Sequence, residues 1–436
     1  MPLQPKERKE ALDKFLKENE PVGSKIFAYK DNPAYKIDVY EIPMKYLVFN
    51  RYNGRISVEI DSDDAANPGL KIPYDHDLEK KIINYLWESN PPRNKTTLAD
   101  IKKKGQLEPG VVTADGVIVD GNRRAMLLTK LEPPAEFFKA GILKDAYTED
   151  NEKSIRKLEN QIQFDQDSKV DYDPLAKYLS AYKLYTEDGF SAEDIANLRG
   201  QNTTKSEVEK WINTFGLMKD YLDKHLETPN IYTLLRIGDK KGTKEEGFLQ
   251  ATNIFNRIKE DQITGIETPL KPVEDSRKYK RMIYDYLRAE TMGAPSEYRL
   301  LGLGTDKNGL LYHKDLFDEM FEEHKKNMEA TRDLPDLKTF CNDNPHLSLK
   351  EAALAREEEF KKLVAPQLHE TFLKYTNLAR NRRQGEKPEV QIEKVLREMK
   401  SLENKVDRLQ ESENVKFLKD QLLQINKIAF DISKEL

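Results

Sequence analysis

TLADIKKKGQLEPGVVTADGVIVDGNRRAMLLTKL, residues 97–131, is the stretch on which the reading of the fold turns. Its first nine residues predict a short helix closed by Gly105, because glycine tolerates the left-handed conformation that follows a last helical turn. Gln106 to Pro109 read as a turn. VVTADGVIVDG then predicts a strand, an Asp115–Gly116 turn and a second strand. Gly121 ends that strand, and Asn122-Arg123-Arg124 opens a helix whose continuation, AMLLTKL, consists of good helix formers. The first N–H groups of a helix have no partner within it, and the positive end of the helix dipole lies there. Gly121 lets the backbone approach a ligand, while Arg123 and Arg124 supply planar donors that match phosphate oxygens. One reading of this element is a polyphosphate cradle. The other is a surface turn followed by two solvated arginines.

Outward from this stretch the chain changes character twice. Upstream, IFAYK, YKIDVYEI and YLVF within residues 26–60 are rich in Tyr, Val and Ile and predict short strands. Residues 61–75 carry Asp, Asn, Gly and Pro and read as a loop, a helix follows over 78–89, and Asn90-Pro91-Pro92 ends it. Residues 1–20 form a charged helix with a small apolar face of Leu12, Phe15 and Leu16. Downstream of about residue 150 the pattern is helical almost throughout, with Gly/Pro-marked breaks near 238–246, 264–272, 293–309 and 334–346.

Composition bounds the function. The chain has 436 residues, 34% of them charged, and a net charge of −5, which argues against nucleic-acid binding by bulk charge and confines any such contact to a local patch. The single cysteine, Cys341, excludes an internal disulfide and a cysteine-based zinc site. The six histidines show no metal-ligand spacing. No apolar run approaches the ~20 residues that span a membrane, and no signal-peptide core opens the chain, so the expected location is the cytoplasm with no membrane partner. GQNTTKS at 200–206 lacks the glycine that a Walker A loop needs before Lys205. In SRKYKRMIYDYLR, Tyr279, Ile283, Tyr286 and Leu287 at helical spacing face a core and leave Lys278, Lys280 and Arg281 to solvent.

The run from Ile101 to Leu131 resembles the nucleotide-binding domain of the ParB/sulfiredoxin superfamily. Ile101, Gly105, Gln106 and Pro109 match its Ile-…-Gly-x-x-x-Pro segment. Gly121, Arg123 and Arg124 match its Gly-Glu-Arg-Arg box, with Asn122 in place of the usual Glu. EIPMKYLVFNRYNGRI resembles the family's opening strand and its arginine loop, here with Arg55. A reactive cysteine at the Asn122 position would imply sulfiredoxin chemistry, and Asn122 does not support it. LENQIQF, 158–164, resembles the start of the family's second phosphate box through Glu159 and Asn160; Gln163 falls one place late and no arginine follows. The segment 171–218 resembles the ParB middle domain, with a Ser191/Asp194 capping box, a turn at Gly200 and a recognition helix from Lys205 to Met218.

The resemblance implies an α+β N-terminal ParB/sulfiredoxin-like domain followed by a mostly α-helical remainder with a C-terminal coiled coil. The divisions are an N-terminal helical extension (1–37), the nucleotide-binding domain (38–148), a helix-turn-helix-like middle domain (149–235), a helical region without an assigned role (236–385) and a coiled-coil or helical-hairpin dimerisation element (386–436). It further implies a CTP-dependent DNA-binding switch or clamp with slow hydrolysis. The nucleotide would contact Arg55, Gly105, Gln106, Pro109, Gly121, Asn122, Arg123, Arg124 and Asn160. Mg²⁺ would sit with the CTP, or another NTP, at Glu159 and Asn160. DNA would meet Lys205, Ser206 and Lys210. A homodimer would form through the heptads Ile392, Val395, Met399, Leu402, Val406 and Leu409, and Val415, Leu418, Leu422, Ile425, Ala429 and Ile432.

Two alternatives stay open. One is an enzyme of the same fold, a small-molecule kinase or nuclease, with Asp120 and Glu159 as catalytic carboxylates. The other is a non-catalytic scaffold of a mobile-element or defence system. Local charge separates the sites: residues 97–131 hold six cations against four carboxylates, whereas 186–225 hold five against eight. Glu207 and Glu209 at the start of the recognition helix oppose phosphate contact.

Overall fold

The computed structural model describes residues 3–29, 32–67, 76–148, 154–159, 173–199, 203–236, 243–260, 263, 269–292, 294–304, 308–384, 388–403, 406 and 414–435. It is a mixed α+β chain in which one sheet precedes a long helical part. Strands β1 (Gly23–Tyr29), β2 (Asn32–Pro43), β3 (Val48–Phe49), β4 (Gly110–Val112), β5 (Val117–Asp120) and β6 (Phe137–Ile142) form a six-stranded sheet in the order β1-β2-β6-β4-β5-β3. The β1–β2, β2–β6 and β4–β5 pairs are antiparallel, whereas β4–β6 and β3–β5 are parallel. The expected hairpin is β4–β5, turning at Gly116 with φ +82°; a Cβ there would lie 2.3 Å from the Tyr46 carbonyl oxygen.

Alternation along the strands sends neighbours to opposite faces. Val112 and Ile118 join one core with Leu78, Ile82 and Leu86 of α3 (His76–Glu88), with Ile101 of α4 (Pro91–Lys104) and with Ala125 to Leu128 of α5 (Asn122–Thr129). Val111 and Val119 face the other side, where Ile155 and Leu158 of α6 (residues 154–159) cover them. Leu78, Ile82 and Leu86 repeat at intervals of four, and burying each contributes about 2 kcal/mol. Asn90 caps α4 by accepting from Arg93 N–H, with Pro91 and Pro92 at the first helical positions. The Asn-Pro-Pro that ends one helix therefore starts the next.

Two expectations change. The N-terminal segment is more than a helical extension. Helix α1 (Pro5–Glu18) buries Leu12 in the sheet core, Arg8 donates to the Asp115 carbonyl at 2.7 Å, and β1 and β2 are the first strands of the sheet. Nor is 61–75 a loop from its start: α2 spans Ser57–Ala66. Its Asp61, Asp63 and Asp64 read as loop residues and its Glu59 as part of the strand-rich segment, but each has a cation beside it. Arg236 lies 2.7 Å from Glu59, Lys183 2.5 Å from Asp61, Lys81 3.5 Å from Asp63 and Arg51 2.7 Å from Asp64.

The helical part comprises α7 (Pro174–Thr186), α8 (Ala192–Arg199), α9 (Lys205–Asp220), α10 (Thr243–Lys259), α11 (Pro272–Ala289), α12 (Pro295–Leu301), α13 (Lys314–Asn327), α14 (Leu337–Asp343), α15 (Leu349–Gln384), α16 (Pro388–Glu403) and α17 (Val415–Glu435). A single large core joins α7, α9, α10, α11, α13 and α15. Among the described residues no helix is long and apolar enough to cross a membrane.

Candidate anion-binding site

The site is assembled at the end of β5. Gly121 sits at φ +95°, and a Cβ there would press within 2.8 Å of the Phe138 ring, so the turn from strand to helix requires glycine. No side chain caps α5, which leaves its first N–H groups directed outward.

The first three residues of α5 take different roles. Asn122 is buried; its Oδ1 accepts from Asn50 N–H at 2.9 Å and its Nδ2 donates to the Ile118 carbonyl at 2.7 Å. It therefore pins the end of β3 to β5 and faces the interior. Arg124 folds back on Asp120, with one nitrogen 3.1 Å from both carboxylate oxygens, and donates to the Glu108 carbonyl at 3.1 Å. Lys25 also reaches Asp120, at 2.6 Å, and donates to the Pro109 carbonyl at 2.7 Å. Asp120 is thus held between two cations, and Arg124 has its counter-charge already.

Arg123 is different. Its Nε donates to Asn94 Oδ1 at 2.5 Å, while one terminal nitrogen is buried with no hydrogen-bond partner among the described residues. Asn94 is itself fixed by donating to the Leu86 and Trp87 carbonyls. Burial, and then the charges of Arg55 and Arg93, push the Arg123 guanidinium down to about 10. A guanidinium is depressed only where positive charge is crowded and water is scarce. The charges of Arg55 and Arg93 thus add to the burial of Arg123, whose one terminal nitrogen is left without a partner among the described residues beside the uncapped start of α5.

Glu159 is positioned from the opposite face of the sheet. It lies one turn beyond Ile155, so the packing of Ile155 and Leu158 carries it inward. It is 4% exposed and accepts from Asn50 Nδ2 and Asn53 Nδ2, each at 2.8 Å, and from Gly54 N–H at 3.3 Å. Burial outweighs those donors and pushes its carboxyl up to about 8. A magnesium ligand must be ionised and present a free oxygen face. Both Glu159 oxygens are engaged by amides, so this carboxyl as arranged does not fit Mg²⁺. Among the described residues no group of three His, Cys, Asp or Glu side chains could hold a metal. Asn160 lies outside the described residues.

The remaining predicted residues fall in two places. Gly105 terminates α4 at φ +70°. Gln106 bridges Glu108 and Lys139, donating to both carbonyls and accepting from Lys139 N–H at 2.8 Å, so it ties the turn before β4 to β6 on the side where Arg124 reaches the Glu108 carbonyl. Arg55 lies on the Arg123 side. Lys205, Ser206 and Lys210 are elsewhere, on α9, whose Val208 and Ile212 join a core with α7 and α8. Thr204 caps α9 with Glu207, and Lys205 lies 3.9 Å from Glu209. Hydrogen bonds from the Thr204 backbone and hydroxyl hold the Glu207 carboxyl below its usual range.

Sequence reasoning missed Asn50, Asn53, Lys25, Arg93 and Asn94. The run FNRYNGR, 49–55, carries a signal for the first two, because two asparagines beside a glycine mark a loop that turns its amides inward. Arg93 and Asn94 give none, since they arrive from α4. Between this loop and α7 runs a narrow cleft of about 60 Å³ with Arg51, Tyr52, Asp61, Glu159 and Lys183 among its lining residues. No family model, curated protein or solved structure matches the chain.

Proposed function

We propose that the chain is a ParB-like, nucleotide-dependent DNA-binding switch, with the nucleotide's phosphates at the start of α5. The observation that carries this reading is the buried Arg123 nitrogen, without a hydrogen-bond partner among the described residues, at a glycine-opened strand-to-helix turn whose helix has no side-chain cap. A triphosphate, CTP by the family resemblance, would neutralise Arg123 and accept from the first-turn N–H groups. The Asn50–Arg55 loop carries both Arg55 and the amides that hold Glu159, and it runs directly into α2. A ligand drawn onto Arg55 would therefore pull on α2, which is tied to Lys183 of α7 and to Arg236. That is the physical basis for a switch.

DNA contact by Lys205, Ser206 and Lys210 is the weaker half of the reading, because Glu207 and Glu209 share that helix start. Dimerisation through the C-terminal helices is supported by their uncovered apolar faces: Ile392 is 57% exposed and Phe430 58%, and no described residue of α17 is buried. The kinase alternative lacks a free base, since Asp120 is paired with two cations and Glu159 holds its proton to about pH 8.

The test is a thermal-shift screen of the four NTPs, with Arg123→Ala and Arg124→Ala beside the parent chain. Stabilisation by one NTP that is lost in Arg123→Ala and kept in part by Arg124→Ala supports the proposal. No shift with any NTP overturns it and favours the scaffold.

A further inference from the structure

A second cationic surface lies far along the chain from the α5 site, on the outer side of α11. Tyr279, Met282, Ile283 and Tyr286 face the core, so Arg277 and Arg281, one turn apart, stand together on the exposed side. Lys280 leaves this face and pairs with Asp220 at 2.5 Å. Lys271, Arg277, Lys278 and Arg281 line a shallow groove of about 700 Å³ with Pro272, Val273, Glu274 and Phe321 of α13. Four cations line the groove against Glu274, which lies 3.2 Å from Lys271 and 2.8 Å from Lys278, while Asp318 holds Lys278 from behind, in a chain whose net charge is −5.

The groove also carries apolar surface. Val273 is 66% exposed, and the Phe321 ring is only partly covered. Lys278 and Lys325 place their ammonium groups 5.8 and 5.4 Å from the centre of that ring. Lys278 is held by Glu274 at 2.8 Å and Asp318 at 2.9 Å, whereas Arg277 and Arg281 have no carboxylate partner among the described residues.

We infer that this groove binds single-stranded nucleic acid. Arg277 and Arg281 would take successive phosphates with their planar forks, and Phe321 with Val273 would offer a face for an unstacked base. A positive track beside an aromatic platform is how strands are held without sequence reading. A duplex keeps its bases stacked and cannot use the ring, and an acidic peptide offers carboxylates but no flat face for it.

The experiment uses the full chain and a fluorescein-labelled mixed-sequence 15-nucleotide DNA, titrated by anisotropy over a range of salt. Arg277→Glu/Arg281→Glu is expected to weaken binding more than tenfold. Arg277→Ala/Arg281→Ala should reduce the log–log salt slope by about 1.4, two single-strand phosphate contacts. Phe321→Ala should cost about tenfold with the slope unchanged. Circular dichroism checks that each variant is folded, and Arg277→Lys/Arg281→Lys should retain the slope. Unchanged affinity in the Glu variant overturns the inference. So does equal affinity for the matching duplex, or displacement of the strand by poly-glutamate at equal charge. Arg277→Ala/Arg281→Ala should leave any thermal shift with NTP unchanged, so this inference and the nucleotide switch fail independently.

Discussion

At the seam between α11 and α15, every buried charge meets its opposite. Arg288 holds Glu357 at 2.5 and 2.9 Å, Arg356 reaches Glu227 at 3.1 Å, and Glu290 takes Lys244 and Lys361, each at 2.9 Å. Asp285, 2% exposed, accepts from His324 at 2.8 Å and lies 3.0 Å from His225. Burial opposes its ionisation, yet those two partners hold its carboxyl well below the ordinary value. At the start of α5 the opposite holds, with Arg123 beside Arg55 and Arg93 and one nitrogen unmet. Both regions spend desolvation energy on charge. The seam recovers it within the fold, which marks structure. At the start of α5 one buried Arg123 nitrogen has no such partner among the described residues, and the proposed nucleotide site rests on it.

The contrast is open to breaking, first where the effect is largest. Asp285→Ala leaves the buried His324 and the partly exposed His225 without their shared carboxylate and should cost about 3–5 kcal/mol in urea unfolding. A loss under about 1 kcal/mol would show that the seam is not what holds the helical part. Arg123→Ala should do the reverse, lowering triphosphate affinity at least tenfold by calorimetry while the unfolding midpoint stays or rises, because crowded positive charge has been removed. Arg124→Ala strips Asp120 of one partner and should cost about 2 kcal/mol with a smaller loss of affinity.

Glu159 sharpens the contrast through pH. Its folded pKa of about 8 lies above the ordinary 4.5, so the folded chain keeps a proton that the unfolded chain releases in between. That contribution is complete below the ordinary value and is lost as pH rises through about 8, with a slope of up to about 1.4 kcal/mol per pH unit. Glu159→Gln should flatten the stability profile over that window, and an unchanged profile would locate the titration elsewhere. The smallest effect on stability belongs to the chain's end. Removing 386–436 should leave the melting temperature within about two degrees. It should convert a dimer to a monomer in sedimentation. A large drop in melting temperature would mean that α16 and α17 pack on the helical core.

Much of the site was legible. The hairpin, the glycine turn and the helix bearing Arg123 and Arg124 follow from residues adjacent in sequence. What adjacency could not show is that neighbouring arginines differ. Arg124 lies one turn from Asp120 on the same helix start and pairs with it, while Arg123 points to α4 and meets Asn94 and Arg93. Asn122 read as a substituted ligand, yet its amide closes the seam between β3 and β5. Lys25 joins Asp120 from 95 residues away. Alpha2 read as loop because its carboxylates suit a turn, and the cations that hold it helical lie partly in α7 and at Arg236.

Local patterning determined the β4–β5 hairpin, the Gly121 turn and most of the helices, though not α2, because backbone geometry and side-chain periodicity act over a few residues. It also determined that positive charge concentrates at 97–131. Tertiary structure alone decided which charges are neutralised. Coulomb interaction and desolvation depend on distance and burial, and for Arg123, Glu159 and Asp285 both are set by segments remote in the chain. Which charges find partners within the protein is decided only once it has folded.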